Sequence, residues 1–300
     1  MSLAIKTAFD SWAFPVPVTL ALLLIACVYS HGWLHLRKAF PYMISVAQFA
    51  AFMSGLSALW IAIGSPVGVL DDELLTFHMV QHLLLMAVAP PLILLGAPIM
   101  PLLHGLPRRF VRVALGPLFR HPAVQWVGGV VTHPVFCLLA ASFTVIAWHY
   151  PPLFELGLQS DWWHEVEHAC FLTTGLLFWW PVVQPWPSVA RWPRWSAPLY
   201  LFLATLPCDA LSAFLAFCDR VVYGSYAAAP HLAGISPLGD QELAGALMWV
   251  SVTFIYLVPA VVVTIHLLSP SRLHRSENDR PEWQPAPAGN PRSASRVEAL

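Results

Sequence analysis

Leu74-Leu75-Thr76-Phe77-His78-Met79-Val80-Gln81-His82-Leu83-Leu84-Leu85 opens an apolar run that continues to Met100. A helix that crosses a bilayer needs about 20 apolar residues, so this stretch reads as a transmembrane helix entered by two histidines. His78 and His82 are four residues apart and fall on one helical face. Polar side chains inside a span are costly and mark functional sites by default. The pattern has an echo in Trp163-His164-Glu165-Val166-Glu167-His168, again at the entrance of an apolar run.

The rest of the chain has the same character. Of its 300 residues, 58% are hydrophobic and 10% charged, with mean hydropathy +0.65. Soluble domains carry about 25% charged residues, so an integral membrane protein is expected. Seven runs reach membrane length, at Phe14–Leu34, Tyr42–Ile63, Leu74–Met100, Val124–Trp148, Trp162–Val183, Pro198–Cys218 and Glu242–Leu268. The fold class is therefore all-α, a polytopic bundle of seven transmembrane helices. Arg and Lys concentrate after runs one, three, five and seven, whereas Asp71, Asp72, Glu73, Glu155, Asp161, Asp219 and Asp240 fill the opposite connections. Of fifteen basic residues only Lys6 and Arg220 lie on that acidic side. The positive-inside rule then places the N-terminus outside and the C-terminus inside.

Asp10 precedes the first run and Arg37-Lys38 follow it, the reverse of a signal peptide, so it reads as an uncleaved span. One seven-helix domain is expected over residues 1–268. A Pro-, Ser-, Arg- and Glu-rich tail, 269–300, reads as disordered and cytoplasmic. The five cysteines include no CxxC pair, which argues against a disulfide framework or a thiolate zinc site. Pro90 and Pro91 are expected to bend the third span below its histidines.

With this topology, His78, His82, His149, His164 and His168 all belong to the outer ends of spans three to five. At 1.5 Å per residue, His78 and His82 lie about 6 and 12 Å into their span, and His164 and His168 about 3 and 9 Å into theirs. Four imidazoles at overlapping depth, with the Asp240 carboxylate nearby, make a ligand set for a transition metal. Copper suits imidazole in a thiolate-poor, methionine-containing setting, and zinc is the alternative. Met86, one turn below His82, extends the pair inward as a transfer ligand. Gln81, Glu165 and Glu167 can orient imidazoles from behind. Asp240 reads equally as the N-cap of the seventh span. Asp209, near mid-membrane, is too costly to be idle and needs a partner or a path; His133 is a candidate partner.

Other readings stay open. A retinal protein is excluded because the only lysines are Lys6 and Lys38. A haem-binding membrane redox protein would use one histidine from each pair. A membrane metallohydrolase would use His164, Glu165 and His168, which match His-Glu-x-x-His with Glu165 as general base.

Phe77-His78-Met79-x-Gln81-His82, Trp148-His149-Tyr150-Pro151, His164-x-x-Glu167-His168 and Asp240-Gln241-x-Leu243-Ala244-Gly245-x-x-Met248-Trp249 together resemble the bacterial CtaG family, polytopic assembly factors of cytochrome c oxidase. The resemblance spans about residues 15–268. It implies a multi-pass protein of the bacterial cytoplasmic (inner) membrane. That protein would help mature a haem-copper oxidase by supplying copper, with an oxidase subunit and the bilayer as partners. Neither catalysis nor nucleic-acid binding is expected. The resemblance carries over to His78, Gln81, His82, His149, His164, Glu167, His168 and Asp240.

Overall fold

In the computed structural model, which describes residues 12–42, 44–71, 73–185, 192–193, 195–228 and 234–269, the regular elements are helices and no strand occurs among the described residues. Residues 270–300 of the expected tail, and Lys6, Asp10, Arg191, Arg194 and His231, lie outside them. The main helices are α1 (Val16–Ala39), α2 (Val46–Gly64), α3 (Leu75–Leu95), α4 (Ile99–Gly105), α5 (Pro122–Val131), α6 (Pro134–Trp148), α7 (Pro151–Gln159), α8 (Asp161–Val183), α9 (Ser196–Phe217) and α10 (Pro237–Leu268). α1, α2, α3, α8, α9 and α10 are long and apolar enough to cross a membrane, and the bent pair α5–α6 makes a seventh span when taken together.

α3 is central, packed against α2, α8 and α10. α6 lies on α8 and α9, α9 runs along α10, and α1 leans on α2 and α4. Polarity is inverted relative to a water-soluble protein. Leu24, Phe143, Phe202, Phe254 and Val258 are exposed, while Asp71, His78, Gln81, His82, Glu167 and His168 are buried. An apolar exterior of self-satisfied helices is what lipid surroundings require.

Besides shifts of a few residues at helix ends, three features at prolines depart from the sequence reading. The third run stops as a span at Leu95 rather than Met100. Pro98 disfavours helix at the preceding residue, Ala97 sits at φ 46°, and the following α4 turns aside onto α1. The fourth run, read as one span, is broken by 64° between α5 and α6. His133 there is extended before Pro134, and its Nδ1 accepts from the Val135 N–H as the N-cap of α6 (3.3 Å). The connection after Tyr150 is not open loop, because Pro151 starts α7, which packs on α8.

The bend expected at Pro90-Pro91 takes a specific form. Leu84–Val88 is one π-helical turn, with the Ala89 N–H reaching back to Leu84 O, an insertion often found at functional sites. Pro90 has no N–H to offer Met86 O, four residues earlier. Trp179 Nε1 of α8 donates to that carbonyl instead (3.3 Å). Gly175, one turn before Trp179, makes the approach possible: a Cβ there would stand 2.9 Å from the Met86 backbone. The defect in α3 thus becomes the seam that holds α8 against it.

Candidate metal centre

The site forms at one end of the bundle, where α3, α8 and α10 begin and α6 ends. The two histidine pairs face each other. The His78 and His164 rings stack at 5.6 Å and 11°, and the His82 ring lies 6.2 Å from both His168 and His149. Within each helix the paired rings are 4.2 Å apart.

Two carboxylates enter this cluster. Glu167 Oε1 lies 3.4 Å from His82 Nε2 and 3.8 Å from His78 Nε2. Asp71, between the short turn Val67–Leu70 and α3, brings Oδ2 to 3.6 Å from His164 Nε2. Asp71 and Glu167 are each 1% exposed, a placement far too costly for isolated carboxylates. Donor atoms of Asp71, His78 and His164 lie within 4.8 Å of one another, and so do those of His78, His82 and Glu167. Ligands of one ion, each about 2.0–2.2 Å from it, are at most about 4.4 Å apart. Small side-chain rotations would therefore close either triad around a cation. His82 Nδ1 and His168 Nε2 are buried with no hydrogen-bond partner among the described residues, a condition that calls for an ion or water.

The surroundings fix these groups. Phe154 of α7 lies against the His78 ring (4.9 Å) and stacks on Tyr223 (3.8 Å), closing the cluster from one side. Gly157 of α7 leaves room for Glu167, since a Cβ there would come within 2.9 Å of Oε2. Tyr226 donates to Asp71 O (2.6 Å). His149 is held through Nδ1 on Val145 O (2.7 Å), and its own carbonyl accepts from Tyr223 OH (3.2 Å).

Other expected site residues go elsewhere. Asp240 joins neither triad. It caps α3 from the first turn of α10, accepting from the N–H groups of Leu75 (2.7 Å) and Thr76 (3.2 Å) and from Thr76 Oγ1 (2.6 Å). Gln81 donates to Ala62 O (2.9 Å), a carbonyl whose helical partner would be Pro66, and so ties α3 to α2. Glu165 is on the exposed face of α8, turned away from the imidazoles. Asp209 stays in the body of α9, its Oδ1 buried without a hydrogen-bond partner among the described residues. The candidate partner His133 packs instead on Trp192 (5.0 Å).

Below the histidines lies a cavity of about 50 Å³ between α3, α6, α8, α9 and α10, with His82 and His149 at one end and Phe178 and Tyr256 at the other. Met86 lines it, as do Met79 and Met248. Since one water needs about 10–15 Å³ on this measure, it has room for an ion or a few waters.

The family model of the cytochrome c oxidase caa3 assembly factor, CtaG, matches residues 27–269, from α1 to the end of α10. The chain belongs to this family. It is also 26% identical to uncharacterized proteins of Mycobacterium bovis and Mycobacterium tuberculosis over 85% of its length, and 25% identical to one of Mycobacterium leprae over 87%. It spans 39% of the length of each of these relatives. No solved structure matches. In this CtaG-family chain, the residues missed by sequence reasoning are Asp71 and Met79, and Glu167 stands among the imidazoles rather than behind them. Asp71 lies outside the helical period, so spacing gave no signal for it. Met79 sits beside His78, and only the tertiary structure brings its sulfur to 3.4 Å from His149 Nε2.

Proposed function

We propose that the chain helps assemble a haem-copper cytochrome c oxidase by holding copper at the imidazole–carboxylate cluster and passing it to an oxidase subunit. The convergence of His78, His82 and His164 on Glu167 and Asp71 carries this reading. Copper is cargo here: His78 belongs to both triads, so an ion can move between them by exchanging one ligand at a time. The two carboxylates supply the negative charge that a cation needs in an apolar interior. His168 and His149 flank the triads, and Phe154 keeps bulk water off them. The charge distribution supports an outward-facing cluster in the bacterial inner membrane, with the ion entering from that side.

Metal content and a visible spectrum of the purified protein test this. Copper is expected in the wild type and is expected to fall in His78→Ala/His82→Ala and in Glu167→Gln. A strong Soret band would replace the copper reading with a haem protein, and zinc as the sole metal would return the hydrolase to consideration. A variant that assembles no oxidase yet keeps full copper would show that the protein acts as a scaffold.

A further inference from the structure

His149 is fixed by its hydrogen bond to Val145 O (2.7 Å). A carbonyl can only accept, so Nδ1 carries the proton, and in neutral imidazole Nε2 then presents a lone pair. That lone pair faces Met79 Sδ at 3.4 Å, in a fully buried position. A thioether sulfur has no proton to give. Two Lewis bases are therefore held against each other with no hydrogen between them. Ligands bonded to one ion at about 2.0 Å (nitrogen) and 2.3 Å (sulfur) stand about 3.5 Å apart at the tetrahedral angle, close to this separation.

We propose that His149 Nε2 and Met79 Sδ form a second, soft-cation site, distinct from the carboxylate triads, that takes monovalent copper at the mouth of the cavity beneath them. The cavity wall supplies further soft donors in Met86, Met248 and Cys208, and thioether with imidazole selects Cu(I). Among the described residues no carboxylate lines the cavity. Since Born solvation scales with the square of charge, a divalent ion would give up about four times the hydration of a monovalent one of equal size. Neutral donors in an apolar chamber therefore favour the monovalent ion. Met248, Val252 and Tyr256 follow one another along α10, and eight residues of helix carry the wall about 12 Å inward. The site rests on copper being the cargo, and it names the oxidation state in which that cargo lies deepest.

The test is X-ray absorption of the purified full chain loaded anaerobically with Cu(I) alone. The wild type should show both sulfur and nitrogen around copper. Met79→Leu, nearly equal in volume, should lose sulfur and keep nitrogen, and the retained nitrogen shows that the variant is folded. A nitrogen- and oxygen-only shell in the wild type would overturn the soft site and leave the carboxylate cluster standing. Sulfur that persists in Met79→Leu/Met86→Leu/Met248→Leu/Cys208→Ala would also overturn it. In His78→Ala/His164→Ala the sulfur signal should remain. Its disappearance would merge the two sites and end the proposal. Unchanged total copper in that variant would support the soft site while sinking the cluster reading.

Discussion

Glu167 is the residue on which the cluster turns. Its carboxylate reaches imidazoles of two turns of α3 at once, and Gly157 gives it the space. Glu167→Gln keeps the shape and removes the charge, so metal affinity should fall, with helicity unchanged, by at least the roughly 10–100-fold seen when groups that merely support the ligands are replaced. Equilibrium titration with copper measures this. Gly157→Ala should mimic it by displacing the carboxylate, without any change of charge. Asp240 acts differently, because it holds α3 and lies outside both triads. Asp240→Ala should cost about 0.5–2 kcal/mol of stability, in the range for a lost helix cap, read by thermal unfolding in detergent. The folded fraction should retain its copper.

At the scale of elements, the seam between α3 and α8 decides whether the two halves of the site meet. Trp179→Phe would leave Met86 O buried without its donor, an unsatisfied group costing about 1–3 kcal/mol. Gly175→Val should separate the helices at the π turn and cost about 1–3 kcal/mol by overpacking. It should weaken copper binding as well, since His164 and His168 would withdraw from His78 and His82. Much of this level was legible beforehand. Four-residue spacing put each histidine pair on one face, and the apolar runs located their helices. The opposing geometry was not legible, because spacing within a helix says nothing about its rotation toward a neighbour. Asp240 was read as a ligand or as the N-cap of its own span, since an acidic residue at a helix start supports either; Ser236 holds that cap instead, and Asp240 caps α3, a neighbour that sequence position does not reveal. Pro134 and Pro98 were visible, but which prolines kink a span and which end it depends on neighbours able to satisfy freed carbonyls, as Trp179 does for Met86.

For the whole molecule, the inverted polarity is the main feature: lipid-facing leucines and phenylalanines outside, a lane of imidazole, carboxylate and thioether within. Composition alone indicated the membrane class. Asp71 escaped notice because loop residues join a site through tertiary folding and follow no period. The charge asymmetry makes a further prediction. A reporter active only in the cytoplasm, fused after Leu300, should be active, and one inserted in the 218–236 connection should be silent. The opposite pattern would put the cluster on the cytoplasmic face and reverse the direction from which copper arrives.

The hydrogen bonds from Leu75 and Thr76 to Asp240 connect residues 165 and 164 positions apart. At about 5–20 residues per second of synthesis, the ribosome adds the closing residue roughly 8–33 s after the histidine helix has begun. A nascent chain stopped at residue 236 would carry all five site histidines but neither the clasp on α3 nor Met248. α10 therefore works as a latch in time: the clasp on the start of α3 can close only after this helix has been made.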